Sequence, residues 1–141
     1  MTINVINTSD NKLPEYAKYG DSGMDIRSNS ELIIKQHETK IVGTGLFLEI
    51  PYCYEIQIRP RSGLAFKNGI TILNTPGTID HGYRGEIKIL LYNTNKNDFI
   101  VTKGMRIAQL VLQKVPKISW NLVDTISNSH RGKTGFGDSG I

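Results

Sequence analysis

The chain has 141 residues, of which 38% are hydrophobic and 21% charged, and its formal net charge is +4. This length and composition indicate one globular domain that buries a core without disulfide support, since Cys53 is the single cysteine. No apolar run approaches the roughly 20 residues that span a bilayer and no signal peptide is recognisable, so we expect a soluble, intracellular protein (cytoplasm or nucleus) without a membrane partner.

The positive charge is scattered along the chain. Basic residues occur singly, with no cluster of five or more, and aromatic residues are not interleaved with them as a base-stacking surface requires. We therefore predict no nucleic-acid partner. A small polyanionic ligand is compatible with the same charge balance.

Short segments of alternating or β-branched apolar residues, bounded by Gly, Pro, Asn and Asp, predict an all-β sandwich or barrel. The one candidate helix is the brief segment 62–68. The predicted strands are, in chain order, 3–6, 31–35, 39–43, 46–50, 54–59, 70–73, 86–92, 98–101, 106–115 and 118–123.

The composition changes near residue 124, which divides the chain into a β domain, 1–123, and a flexible glycine-rich tail, 124–141. The tail cannot bury enough apolar surface to fold by itself. A disordered terminus is one interpretation. The other is a segment that closes over a ligand, because Phe136 stands between two glycines near Arg131 and Lys133.

Several familiar sites are excluded by spacing. The string RGKTG (131–135) lacks the earlier glycine of a P-loop, because position 127 is Ser. The three histidines (His37, His81 and His130) have no metal-ligand spacing with one another or with Cys53.

The segment RPRSGLAFKNG (59–69) favours an anion site. A predicted strand ends at Arg59, and Arg61, Ser62 and Gly63 open the predicted helix. Backbone N–H groups, a hydroxyl and a guanidinium converge there. A capped helix with a solvated arginine is the alternative.

The stretch LNTPGTIDHGYRGEIKIL (73–90) reads as a tight hairpin that carries Asp80, Tyr83 and Arg84. A plain turn accounts for the carboxylate alone. If Asp80 deprotonates a water, Tyr83 packs against a sugar and Arg61 holds phosphate, these are the parts of a nucleotide hydrolase.

Five ordered segments between about residue 16 and residue 140 resemble the motifs of the homotrimeric, all-β dUTP diphosphatase (dUTPase) family. They are 20–28, 59–69, 74–93, 103–115 and 131–140. The resemblance implies a distorted jelly roll, or β-clip, assembled as a homotrimer with active sites at subunit contacts. It also implies Mg²⁺-dependent hydrolysis of dUTP to dUMP and pyrophosphate, which limits uracil in DNA and supplies dUMP for dTMP synthesis.

The same resemblance implies roles for individual residues. Asp80 is the general base for attack on the α-phosphorus, Tyr83 packs on deoxyribose and leaves no room for a 2′-hydroxyl, and Asn74 reads uracil. Mg²⁺ has no direct protein ligand in this assignment and is held through waters by Asp25 and Gln109, while Asp25 also organises Arg61. The further substrate-binding residues are Arg61, Ser62, Gly63, Gly77, Thr78, Ile79, Lys88, Gln109, Arg131, Phe136 and Gly137.

Three positions depart from the pattern of the family. Met105 stands where an acid is common, so we expect a salt bridge or turn contact to be missing there. Thr134 and Asp138 also differ, and a negative charge at Asp138 weakens γ-phosphate binding unless it points outward.

Three other functions compete with this interpretation. A dCTP deaminase needs a carboxylate on the strand after the hairpin, where this chain has Leu90. A non-catalytic nucleotide sensor does not need Asp80, and a structural jelly roll has no nucleotide affinity.

Overall fold

The computed structural model describes residues 1–135, and within that range it contains ten β-strands and one short helix. The predicted all-β class is confirmed. The elements are β1 (Asn4–Asn7), β2 (Met24–Arg27), β3 (Leu32–Ile34), β4 (Thr39–Glu49), β5 (Tyr54–Arg59), α1 (Ser62–Asn68), β6 (Ile70–Ile72), β7 (Gly77–Asp80), β8 (Glu86–Asn93), β9 (Phe99–Val101) and β10 (Arg106–Lys114).

The strands form two four-stranded sheets, ordered β1-β4-β8-β6 and β2-β10-β5-β7, and a two-stranded sheet of β3 and β9. All three contribute side chains to one core of Ile, Leu and Val. Strand β8 shows why these sequences form strands: Ile87, Ile89 and Leu91 alternate along it and are fully buried. Within residues 1–135, no helix has the length and hydropathy that crossing a membrane needs.

Strand β4 is one strand where the sequence predicts two, 39–43 and 46–50. The predicted break coincides with a shift of register against β8 between Gly43 and Phe47. Inside this irregularity Thr44 is buried, and its hydroxyl donates a hydrogen bond to the carbonyl oxygen of Ile87 at 2.7 Å. A bulge bends a strand without ending it. Because it interrupts the alternation of apolar and polar residues, the sequence pattern predicts two strands where the structure has one.

The prediction of a strand over residues 118–123 is wrong. The last strand ends at Lys114, and the apolar side chains of Ile118, Trp120 and Leu122 are 71%, 90% and 100% exposed. Their spacing fits a strand, but in the described part of the chain no strand pairs with this segment.

Strands β2 and β7 were not predicted, and β7 corrects the hairpin interpretation of residues 73–90. Strand β7 pairs with β5, from Ile58↔Gly77 to Glu55↔Asp80, whereas β8 belongs to the other sheet. The turn after Asp80 therefore carries the chain from one sheet to the other. This places Asp80 at the end of an edge strand that, within residues 1–135, pairs with β5 alone.

The turn before β10 is hydrogen-bonded through the backbone of Met105, the residue that stands where the family commonly has an acid. The Met105 N–H donates to the carbonyl oxygen of Thr102 at 3.1 Å, and its own carbonyl oxygen accepts from the Ser28 N–H at 2.9 Å. Lys103 donates a hydrogen bond to Asp10 at 2.7 Å, and this bond, with the attraction of the two charges, lowers the pKa of the Asp10 carboxyl.

Gly45 lies in the bulge of β4 with φ of 73°, a conformation that side chains other than glycine rarely adopt. A Cβ there would lie 2.9 Å from Ser9 Cβ and 3.0 Å from the Ser9 backbone nitrogen. We expect Gly45→Ala to lower the free energy of unfolding by about 1–3 kcal/mol, measured by urea denaturation. Gly82→Ala is the control, because its Cβ would meet no atom within 4 Å; equal stability of the two variants would contradict this account.

Candidate functional site

Asp25, on β2, lies at the centre of a cluster of cationic side chains. Its Oδ1 accepts a hydrogen bond from Arg61 Nε at 2.9 Å, and its Oδ2 accepts from Arg61 Nη2 at 3.3 Å and from Arg106 Nη1 at 3.2 Å. Gln109 Nε2 donates to Oδ1 at 3.4 Å. We call these four residues the arginine corner. Two guanidiniums against one carboxylate leave a surplus positive charge, which suits an anionic ligand.

The sequence predicts Asp25, Arg61 and Gln109 as site residues but misses Arg106. A signal was present, since Arg106 stands three residues before Gln109 in the segment that resembles a dUTPase motif. The Arg106 side chain is 50% exposed, whereas that of Arg61 is 24% exposed. Arg61 is further fixed because its Nη1 donates to the carbonyl oxygen of Arg106 at 3.2 Å. Arg106 is therefore the more accessible cation of the corner.

Sheet register explains how these residues meet. Gln109 on β10 lies opposite Asp25 on β2 and opposite Arg59 on β5, so all three side chains lie on one face of the sheet. Arg59 donates to Gln57 Oε1 from Nε at 3.1 Å and from Nη2 at 2.7 Å, so its guanidinium is held along β5. A cavity of about 290 Å³ opens on this face, between Asp25, Arg59, Gln109 and the loop that contains Glu15.

Helix α1 begins beside the arginine corner, at Ser62. No side chain caps its start, so its first N–H groups are left to solvent or ligand. Arg61 is largely covered and bound to Asp25. Both observations count against the alternative of a capped helix with a solvated arginine, and they place the Ser62 hydroxyl and Gly63 next to the surplus charge.

The second group of predicted residues surrounds β7. Gly77 is buried, and a Cβ on it would lie 3.3 Å from both Asn74 Nδ2 and Ile58 Cβ, so glycine lets the Asn74 amide approach the strand. Thr78 and Ile79 follow in the strand. Asp80 is its last residue and is exposed.

The carboxylate of Asp80 differs from that of Asp25 in its surroundings. Within residues 1–135, its side chain has no hydrogen-bond or ion-pair partner, although the Tyr83 N–H donates to the Asp80 backbone oxygen at 3.0 Å. Tyr83 follows on the turn and its side chain is exposed to solvent. An exposed carboxylate and an exposed aromatic ring thus lie within one turn.

In one chain, this turn and the arginine corner lie at opposite ends of the same strand. Asp80 is opposite Glu55, at the start of β5, while Arg61 follows Arg59, at its end. The four residue steps from Glu55 to Arg59 span about 13 Å. Within one chain, the exposed carboxylate and the arginine corner are therefore separated by most of the length of β5.

The remaining predicted residues are more scattered. Lys88 lies on β8 in the other sheet, where it approaches Glu86 at 3.7 Å. Arg131 donates from Nε to the carbonyl oxygen of Thr134 at 3.1 Å, and Thr134 returns a hydroxyl hydrogen bond to the Arg131 carbonyl oxygen at 2.7 Å. Phe136, Gly137 and Asp138 lie outside the described residues.

A comparison with protein families and known proteins gives one consistent result. A family model described as dUTPase matches residues 9–140. The chain is 51% identical over 132 residues to the deoxyuridine 5′-triphosphate nucleotidohydrolase of Rickettsia bellii, covering 92% of this chain and 88% of the relative. The enzyme of the same name from Clostridioides difficile is 51% identical over 129 residues, with 92% and 90% covered. The solved structure of the Staphylococcus bacteriophage 80alpha dUTPase with dUPNHPP superimposes with a TM-score of 0.91 at 28% identity, covering 99% of each chain.

The arginine corner predicts selective loss of anion binding. Replacing Arg61 or Arg106 by Gln removes a donor of charge-assisted hydrogen bonds, so we expect affinity for tripolyphosphate to fall by about tenfold or more for each, measured by calorimetry. Arg27→Gln is the matched control, because the Arg27 guanidinium is bound to the Gly104 carbonyl oxygen instead. Equal affinities of all three variants would show that this corner is not the anion site.

Proposed function

Because this chain belongs to the dUTPase family and therefore hydrolyses dUTP, we propose that Asp80 is the general base of the reaction and that the arginine corner binds the triphosphate. The products are dUMP and pyrophosphate. The observation that carries the proposal is the contrast between two aspartates: Asp25 is held by two guanidiniums, whereas Asp80 is free of such partners within residues 1–135.

This contrast separates the two carboxylates by role. A general base needs an oxygen that can accept a proton from water. Both oxygens of Asp25 accept hydrogen bonds from arginine, and the loss of this carboxylate's charge would leave two guanidiniums unpaired. Asp80 is exposed, so a water can reach it. Asp25 is therefore a residue that organises cations, and Asp80 is the base.

The proposed step transfers one proton and exchanges one bond. A carboxylate oxygen of Asp80 takes a proton from a water, whose oxygen bonds to the α-phosphorus. The bond from that phosphorus to the bridging oxygen of the β-phosphate breaks, and pyrophosphate leaves with the electron pair. Arg61, Arg106, Ser62 and the N–H of Gly63 neutralise and hold the phosphate oxygens while charge shifts toward the leaving group.

The uracil base is contacted by residues before Asp80, and the sugar by Tyr83, which follows it. Asn74 and the main chain through Gly77, Thr78 and Ile79 offer amide and backbone groups for the edge of uracil. A site that hydrogen-bonds one base edge discriminates strongly against bases that lack it. The Tyr83 ring packs against the sugar, where it excludes a 2′-hydroxyl. Gln109, Lys88 and Arg131, with Phe136 and Gly137 of the tail, complete the proposed substrate contacts.

The oxygen atoms near the arginine corner suit Mg²⁺ as the metal of this family. The described residues contain no group of three or more His, Cys, Asp or Glu side chains that could hold a metal ion directly. The Asp25 carboxylate and the Gln109 amide oxygen are hard donors that can bind the waters of a hydrated ion. When bound, Mg²⁺ supplies charge neutralisation at the phosphate oxygens.

Two observations support a homotrimer with shared active sites. Asp80 and the arginine corner lie too far apart in one chain to act on one nucleotide, and a second copy can supply the missing half. The segment 118–123, which follows β10 and which we call the arm, also exposes Trp120 and Leu122 almost completely. Large exposed apolar side chains mark contact surfaces. We assign this arm to the contact with a neighbouring copy.

The alternatives explain fewer of these observations. Leu90 on β8 offers no carboxylate for deamination. A nucleotide sensor needs no general base, so that function does not explain why Asp80 is exposed and has no hydrogen-bond or ion-pair partner for its side chain within residues 1–135. Relatives that are 51% identical to this chain carry the name of a nucleotidohydrolase.

The base assignment predicts a separation of turnover from binding. We expect Asp80→Asn to lower kcat for dUTP by about 10²–10⁴-fold, the range that general bases contribute, while the dissociation constant for dUTP changes little. Pyrophosphate release measures the first quantity and calorimetry the second. Asp98→Asn, at an exposed aspartate before β9, serves as the control; near-normal turnover of Asp80→Asn would refute the role.

A further inference from the structure

Tyr83 is fixed from two sides by the residues that follow it. Its hydroxyl donates a hydrogen bond to the carbonyl oxygen of Glu86 at 3.0 Å. Its ring lies over Gly85: a Cβ built on Gly85 would overlap the Tyr83 hydroxyl and lie 2.6 Å from Cζ and 3.0 Å from Cε2. Only glycine at position 85 leaves room for the ring in this orientation.

Glu86 is itself anchored to the opposite strand. Its Oε1 accepts a hydrogen bond from the Gly45 N–H at 2.9 Å, inside the bulge of β4. A Cβ on Gly43 would lie 2.7 Å from the same oxygen, so the absence of a side chain there lets Glu86 reach across the strand. The carbonyl group that receives the Tyr83 hydroxyl therefore belongs to a residue tied to the sheet. Gly43, Gly45, Gly85 and Glu86 together form what we call the Tyr83 support.

The turn itself adds a third restraint. Arg84 donates from Nη1 to the carbonyl oxygen of His81 at 2.6 Å and to that of Tyr83 at 3.0 Å, closing the loop between the two sheets. Side-chain rotation of Tyr83 thus requires breaking its bond to Glu86, and backbone movement requires opening the turn.

We propose that the Tyr83 support sets the discrimination between deoxyribonucleotides and ribonucleotides, with Gly85 and Glu86 as positioning residues. The inference rests on the proposed role of Tyr83 against the sugar. Rejecting a single hydroxyl needs a ring held to within about 0.5 Å, and such precision comes from the groups behind the contacting residue. If the ring can move away, a 2′-hydroxyl fits and selectivity falls, while the chemistry at Asp80 is retained.

The test compares kcat/KM for dUTP with kcat/KM for UTP in four variants. Gly85→Ala displaces the ring, and Glu86→Ala removes the anchor to Gly45. We expect each to lower the ratio of dUTP to UTP activity by about tenfold or more, in the range of binding-pocket discrimination. Glu86→Gln keeps an oxygen that can accept from the Gly45 N–H, and Gly82→Ala adds a Cβ into open space in the same turn. Both should keep the ratio of the unaltered chain.

Tyr83→Ala separates this inference from the function on which it rests. If Tyr83→Ala lowers the ratio but Gly85→Ala and Glu86→Ala do not, the support has no role in selectivity and the inference is wrong, whereas the proposed function stands. If Tyr83→Ala leaves the ratio unchanged, the role of Tyr83 is wrong and the inference falls with it. Should Gly85→Ala fail to fold, the difference between Glu86→Ala and Glu86→Gln decides alone: equal ratios would overturn the inference.

Discussion

The pairing of β7 with β5 is the constraint from which the arrangement of the site follows. Since β7 runs antiparallel to β5 in a fixed register, Asp80 is opposite Glu55 and cannot move along the strand without turning Ile79 out of the core side of the sheet. Strand β5 ends at Arg59, and Arg61, two residues further on, donates a hydrogen bond to Asp25. The register therefore fixes the position of Asp80 and that of the arginine corner, and it separates the two along β5 within one chain.

Two aspartates of the same sheet differ sharply in their surroundings. Asp25 lies in a row of polar and cationic side chains that crosses β2, β10 and β5. Its carboxylate accepts hydrogen bonds from Arg61 and Arg106 and so orients both guanidiniums. Asp80 sits at the exposed end of a short strand, where water has access. In the proposed function, the first carboxylate keeps the phosphate site assembled and the second accepts the proton.

Much of this architecture could be predicted from the sequence, and the failures have physical causes. Strand β5 and helix α1 have the predicted bounds, because alternation in 54–59 and the polar start of 62–68 are strong local signals. Strand β7 was missed because Gly77–Asp80 has a single apolar side chain and owes its structure to pairing with β5. Segment 118–123 shows the reverse case. Its apolar and polar residues alternate clearly, but within residues 1–135 no strand pairs with it, so it does not form a strand. Arg106 was not predicted although it stands three residues before Gln109, because the resemblance assigned it no role and its contact with Asp25, 81 residues away, forms only in the folded sheet.

The central claim is that Asp80 of one chain acts on a phosphate held by the arginine corner of another. Co-expressed Asp80→Asn and Arg61→Gln chains, purified as mixed oligomers, test it most directly. Each variant alone should have little activity, and the mass of the oligomer should be three times the 15.8 kDa of one chain. If the sites are shared, random mixing should restore about a quarter of the normal activity, since that fraction of sites combines two unaltered halves. Activity no greater than that of the two separate variants would contradict the account.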